Sequence, residues 1–284
     1  MKIVPLKYDF CIKEIMENEI VRTHFISDVL DIPIEDIKTV RMMNTFLWRR
    51  FRRQKQGILD IQLELNDSTK INIEMQMEQK AHWKMRTVFY LAKMFTADLR
   101  RGEAYKKAKK CIAITILDFD LDKRAQYHNV YTLRDKLGNI YTDILELHTI
   151  ELKKQPNQAQ PSPLDEWHRL FNAKTQEDLD MIKSKTGNIG IMEAIKELKE
   201  ISVTDRIRLE YEYRLKAKRD REAEDEFVFE EGKAQGIEQE RQQGIKSLIH
   251  SMRAIDAADE QVIAALMTEY HLSREEAQGK IQSF

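Results

Sequence analysis

Cysteine is scarce in this sequence: 284 residues hold two, Cys11 and Cys111. Two thiols cannot build a disulfide framework, and both lie in apolar-periodic segments, where a thiol acts as a small core residue. Net charge is lacking too. Lys and Arg number 47 against 48 Asp and Glu, a formal charge of −1. The chain as a whole therefore has no field to draw in a polyanion, and any nucleic-acid contact must come from local patches. No apolar run approaches the ~18 residues of a membrane span. The start, Met1-Lys2-Ile3-Val4-Pro5-Leu6-Lys7-Tyr8-Asp9, has no apolar stretch of the kind a secretory signal needs. A reducing cytoplasm is the expected compartment, with no membrane partner. Walker-type and dinucleotide-binding glycine patterns are absent. The seven histidines show no zinc-like spacing, and no serine sits in a nucleophile-elbow context. What remains is a globular chain, 42% apolar and 33% charged, with a well-solvated surface.

The most informative stretch runs from Gly57 to Met77. Apolar and polar residues alternate on both sides of Asn66-Asp67-Ser68, the pattern of a half-buried hairpin. Ile61, Leu63 and Leu65 share one face with Ile71, Ile73, Met75 and Met77. Asp60, Gln62 and Glu64 share the other with Asn72, Glu74 and Gln76. A three-residue turn pairs Ile61 with Ile73 and Asp60 with Glu74, keeping both apolar sets on one side. Directly opposite carboxylates, with Cβ atoms roughly 5 Å apart, repel unless a cation lies between them. That pair, with the Gln76 amide beside it, fits a Mg2+ site using few protein ligands. Just upstream, Trp48-Arg49-Arg50-Phe51-Arg52-Arg53-Gln54-Lys55 interleaves aromatics with basic residues. It reads either as a phosphate grip or as a solvated charged loop.

Asp60 on one strand and Glu74-Met75-Gln76 on the next resemble the PD-(D/E)XK nuclease superfamily. With Asp9-Phe10-Cys11-Ile12-Lys13, Arg86…Tyr90…Lys93 and the strand Ile112–Phe119, the match is closer to the Rpn-type recombination-promoting nuclease and transposase family. It covers residues 1 to 150 well and the remainder loosely. The resemblance implies a restriction-endonuclease-like α/β core, a mixed sheet flanked by helices, followed by a helical C-terminal region. It implies a DNA endonuclease using Mg2+ or another divalent cation such as Mn2+, linked to recombination or mobile elements. Asp60 and Glu74 would be catalytic metal ligands, joined by the backbone carbonyl of Met75. The third signature position, usually lysine, is Gln76, as is common in this branch. Glutamine neither accepts a proton at neutral pH nor carries charge, though its amide can orient a water. The general base is thus unassigned, with Lys93 or a second metal as candidates. Arg86, Tyr90 and Lys93, with Arg49, Arg50, Arg52 and Arg53, become candidate DNA contacts, and a homodimer is compatible. A defence or toxin-type nuclease is equally compatible, and the missing lysine leaves open a catalytically idle fold that binds nucleic acid or protein.

The rest of the chain reads as follows. Asp9 caps a helix to about Leu30, with Phe10, Ile15, Ile20, Phe25, Ile26 and Val29 buried. Residues 81 to 101 form an amphipathic helix that packs on the sheet through Met85, Val88, Ala92, Phe95 and Leu99. Arg86, Tyr90, Lys93 and Arg100 share another face; alone they would be ordinary solvated charge. Cys111 to Leu117 is a buried central strand, and Asp118–Asp122 is a turn rather than a calcium loop. Two strands, Tyr127–Leu133 and Ile140–Leu152, flank a turn at Leu137-Gly138-Asn139. Residues 155–163 are proline-rich, the best boundary in the chain. Short helices follow, and Thr204 caps a longer one to about Glu230. Gly232, Gly236 and Gly244 then punctuate a charged tract, each costing a helix about 1 kcal/mol relative to alanine. The expected division is a nuclease core over 1–155, a helical extension packing on it over 156–230, and a glycine-punctuated linker with a small helical tail over 231–284.

Overall fold

The computed structural model describes residues 3–43, 46–47, 57–58, 61–66, 68–97, 104–157, 159 and 162–284, with backbone alone at 46–47 and 57–58. It divides into two compact units, Met1–Tyr211 and Glu212–Phe284. Among the described residues no helix is long and apolar enough to cross a membrane.

The first unit opens with α1 (Asp9–Met16) and α2 (Glu19–Leu30). The single helix expected from Asp9 is thus two. The amides of Glu17 and Asn18 turn back to Glu14 and Ile15 carbonyls. Asn18 Oδ1 then accepts from the Ile20 and Val21 amides and starts the second helix, satisfying donors that a helix start leaves without partners. Tyr8, not Asp9, is the N-cap of α1. Ile20, placed by the expected stripe in the core, is exposed.

Strands β1 (Val40–Met43), β2 (Phe46–Leu47), β3 (Gly57–Ile58), β4 (Ile61–Leu65), β5 (Thr69–Gln76), β6 (Lys110–Leu117), β7 (His128–Arg134) and β8 (Ile140–Glu151) follow, with α3 (Trp83–Thr96) between β5 and β6. Six of them form one mixed sheet in the order β1-β4-β5-β6-β8-β7, and β2 pairs with β3. β4 and β5 are antiparallel in the expected register, Ile61↔Ile73 through Leu65↔Thr69. Asn66 closes the turn at φ 50°, a left-handed conformation that asparagine tolerates. Its side chain ties the turn to the chain before β1, accepting from the Lys38 and Thr39 amides and donating to the Asp36 carbonyl. β5–β6 and β6–β8 are parallel, which puts β5 in the middle of the sheet.

One face of this sheet carries the main core. Ile61, Leu63, Ile71, Ile73, Ile112, Ile114, Ile116 and Ile150 pack there against α1, α2, α4 (Leu164–Asn172), α5 (Gln176–Lys185) and α6 (Ile189–Ser202). Trp167 is fully buried, edge-on to Phe25 with ring centres 5.1 Å apart, and its indole N–H donates to Asp28. The proline-rich stretch expected as a boundary lies inside this unit, since α4 to α6 and Ile207 complete the same core. α3 covers the opposite face, seating Leu91 and Met94 on Cys111 and Ala113.

α7 (Asp205–Arg253) follows, and Gly232, Gly236 and Gly244 lie within it. In the second unit, Ile245 and Ile249 of α7 pack with Val262 and Leu266 of α8 (Asp259–Tyr270) and Ala277 and Ile281 of α9 (Arg274–Ser283). Gly244 has a packing reason: a Cβ there would lie 2.4 Å from the Tyr270 hydroxyl. Nothing in the structure explains Gly232 or Gly236. Ser273 and Glu276 form a capping box at the start of α9.

Candidate active site

The site is built on β5. Its odd-numbered residues enter the main core, so Asn72, Glu74 and Gln76 project from the other face. A half-buried hairpin would leave them wet. Instead Asn72, Glu74 and Gln76 are 5%, 6% and 8% exposed, because β6 flanks β5 and α3 lies across it. A sequence pattern shows which residues share a face; it does not show whether another layer covers that face.

α3 meets this surface through Trp83, Thr87, Leu91 and Met94. The expected packing stripe is corrected accordingly: Met85, Val88 and Ala92 are exposed, with Met85 at 73% and Val88 at 60%. Leu99 and Arg100 lie outside the described residues. The helix is turned so that small Cys111 and Ala113 receive Leu91 and Met94, while Arg86 reaches the sheet. Arg86 Nη2 donates to Glu74 Oε1 at 2.6 Å, and its guanidinium carbon lies 5.6 Å from the Tyr90 ring centre. Tyr90 borders a small cavity with Asn72, Glu74, Thr87, Leu91, Met94 and Ala113. Arg86 and Tyr90 are therefore beside Glu74, whereas Lys93 Nζ is 5.9 Å from the centre of the Phe89 ring.

Gln76 Nε2 donates to the Glu78 carbonyl at 2.9 Å. The Gln76 carbonyl accepts from the Asp118 amide at 3.0 Å, so it points toward β6. Carbonyls alternate between the two edges of an extended strand, so that of Met75 points to the β4 side. The described ladder there ends at Ile61↔Ile73. Asp60 lies outside the described residues, as do Arg49, Arg50, Arg52 and Arg53. Their flanks are described: Phe46 pairs with Ile58 and Leu47 with Gly57. Among the described residues no three His, Cys, Asp or Glu side chains gather as a metal centre.

Two features are not visible in the sequence pattern. Asn72 Oδ1 is buried without a hydrogen-bond partner among the described residues; its place in the alternation with Glu74 was visible, its burial was not. At the end of β6, Asp118 is ion-paired to Lys7 at 2.9 Å. Nearby, burial and the neighbouring Tyr211 push the Tyr8 hydroxyl up to about 12. Glu14 on α1 is paired with Arg206 of α7. Another polar cluster lies between β7 and β8. His128 Nε2 meets His148 Nδ1 at 2.9 Å, and His148 Nε2 meets Glu146 at 2.9 Å. Burial and then His148 lower His128 to about 4.

The donor set suits a hard divalent ion. A buried carboxylate oxygen, a backbone carbonyl and a side-chain amide lie on consecutive residues of one strand, and a guanidinium already stands in as the cation at Glu74. No curated protein and no solved structure matches the chain. A family model described as PD-(D/E)XK nuclease family transposase matches residues 6–226. The match spans well over half the chain, takes in every element of the mixed sheet and includes Glu74, Gln76 and Arg86, so the chain belongs to the PD-(D/E)XK nuclease family transposases.

Proposed function

We propose that the protein is a metal-dependent DNA endonuclease that hydrolyses phosphodiester bonds and serves recombination or the movement of mobile elements. Membership of the family gives the nuclease-type function and the nucleic-acid substrate. The finer reading is supported by one observation above all, the Ile61↔Ile73 register. Continued by one step, as the sequence alternation expects, that register would set Asp60 opposite Glu74. Asp60, Glu74 and the Met75 carbonyl would then hold Mg2+ or Mn2+. When bound, such an ion polarises the phosphate and lowers the pKa of a coordinated water.

The chain's own residues do the rest. Glu74 is held buried as a carboxylate by the Arg86 guanidinium. Gln76 is fixed by its donation to Glu78, which aims the remaining amide oxygen as a water acceptor. Arg86 and Tyr90 form an edge where a phosphate meets a bidentate donor. Arg49, Arg50, Arg52 and Arg53 would extend the grip along the DNA backbone, with Lys93 farther out. Gln76 cannot act as a base, which keeps a catalytically idle, DNA-binding fold as the second reading.

The test is supercoiled plasmid incubated with purified protein in Mg2+, Mn2+ or EDTA, beside Asp60→Ala and Glu74→Ala. Nicking or linearisation in the metal lanes, absent with EDTA and in both variants, is the expected result. Cleavage that survives Glu74→Ala overturns the site. Retarded but uncut DNA in all lanes favours the idle fold.

A further inference from the structure

Glu74 carries a charge at a position where water barely reaches it. Its side chain is 8% exposed, and a carboxylate so placed needs a cation close by. Arg86 supplies one at 2.6 Å, yet 41% of its own side chain is in water. One helical turn further along, the Tyr90 ring lies 5.6 Å from the guanidinium carbon, a second favourable location for that charge. Arg86 therefore has a firm partner, an alternative support and a way out to solvent.

We propose that Arg86 is a displaceable plug of the metal site. In the metal-free protein its guanidinium occupies Glu74 Oε1, the oxygen a divalent ion would take. Loading requires the guanidinium to leave, because two cations at one oxygen repel each other across a poorly solvated gap. Once displaced, Arg86 rests against Tyr90 at the mouth of the site, where a DNA phosphate can accept from it. This inference rests on the reading of Glu74 as a metal ligand. Its consequence is coupling: DNA takes up the displaced guanidinium, so DNA tightens metal binding and metal tightens DNA binding by the same factor. The free protein binds its ion weakly, and the site is completed on substrate.

The pairing is weak enough to exchange, since one partner is well solvated. The experiment measures metal binding by the full chain without DNA. Mn2+ is titrated by calorimetry into the wild type, Arg86→Gln, Arg86→Lys and Glu74→Ala, with circular dichroism in EDTA as the check on folding. Arg86→Gln should bind Mn2+ about fivefold more tightly, equivalent to about 1 kcal/mol. Arg86→Lys, which keeps a cation on Glu74, should stay near the wild type. Arg86→Met, which retains the apolar stem, gives the same comparison if the glutamine variant fails to fold. Equal or weaker Mn2+ binding by the neutral variants overturns the plug while leaving the metal site standing. Binding that is absent from the wild type and from the neutral variants alike, or unchanged in Glu74→Ala, overturns both the plug and the metal-dependent reading.

Discussion

Replacing Asn72 with valine should stabilise the protein and impair it. Asn72 is 5% exposed, two residues before Glu74 on the same face, and its Oδ1 has no partner among the described residues. A buried acceptor left unsatisfied costs about 1–3 kcal/mol. Valine removes that cost, suits an extended strand, and adds its extra volume beside Leu91, Met94 and Ala113, which line the adjoining cavity. After some loss to imperfect fit, a gain of about 1 kcal/mol is expected. For a domain of 150–250 residues this raises the melting temperature by about 2–4 °C. The assay is scanning calorimetry of the full chain in EDTA, which removes any contribution of bound metal. Metal-dependent plasmid nicking by the same variant should fall at least about tenfold, because a polar atom left unsatisfied two residues from the proposed metal ligand Glu74 is the mark of a functional site. A melting temperature lowered by more than about 2 °C would show that the amide is satisfied and structural, and the reasoning would fail. Full activity in a stabilised variant would remove Asn72 from the site.

A chain ending near Glu230 should keep the circular dichroism, melting transition and nicking of the first unit, since Met1–Tyr211 holds the whole main core. Loss of activity in that shortened chain with its fold intact would assign the tail to DNA engagement. A chain ending at Ser202 deletes Ile207 and Tyr211 from that core and should melt lower. Acidification should destabilise the sheet edge through His128. Its folded value of about 4 lies below the ordinary 6.5, so between these values the unfolded chain binds a proton that the folded chain refuses. Stability is therefore full above about pH 6.5 and falls as the pH drops toward about 4. Urea denaturation of the wild type and His128→Gln at pH 7 and pH 5 should show a smaller difference for the variant. Equal slopes would mean that His128 is not the group responsible.

Much of this fold is legible in the sequence because strand alternation fixes parity. Once Asn66-Asp67-Ser68 is read as a three-residue turn, only an even-sum register keeps Ile61, Leu63, Ile71 and Ile73 on one side, and the observed ladder is that one. Helix faces are less determinate. α3 carries aliphatic residues on two sides, Met85 and Val88 on one, Leu91 and Met94 on the other. The choice between them depends on the partner surface, where Cys111 and Ala113 leave room for Leu91 and Met94. That room lies on a strand distant in sequence, beyond the reach of periodicity. The break between α1 and α2 is different, because Asn18 before Glu19 is a visible capping signal. It competes with the apolar spacing of Ile15 and Ile20, and the cap prevails: Ile20 is exposed.

The charge at the site follows the same division between local pattern and assembled surface. Lysine is the usual third signature residue, and a lysine there would place its cation two residues from the glutamate on the same strand face. In this chain that position is Gln76, which is neutral and committed to the Glu78 carbonyl. Read along β5 alone, the even-numbered face runs Lys70, Asn72, Glu74 and Gln76, with its one cation four residues before Glu74. A cation at hydrogen-bond distance from Glu74 comes from Arg86, twelve residues on, because α3 turns its Trp83–Thr87–Leu91–Met94 face to the sheet. Rolling the helix to bury Met85 and Val88 instead would carry Arg86 away from Glu74 and break this ion pair. The electrostatics of Glu74 and the packing of Leu91 and Met94 thus select the same helix orientation. Each is therefore an independent reason for the arrangement that the apolar pattern by itself assigned to the wrong face.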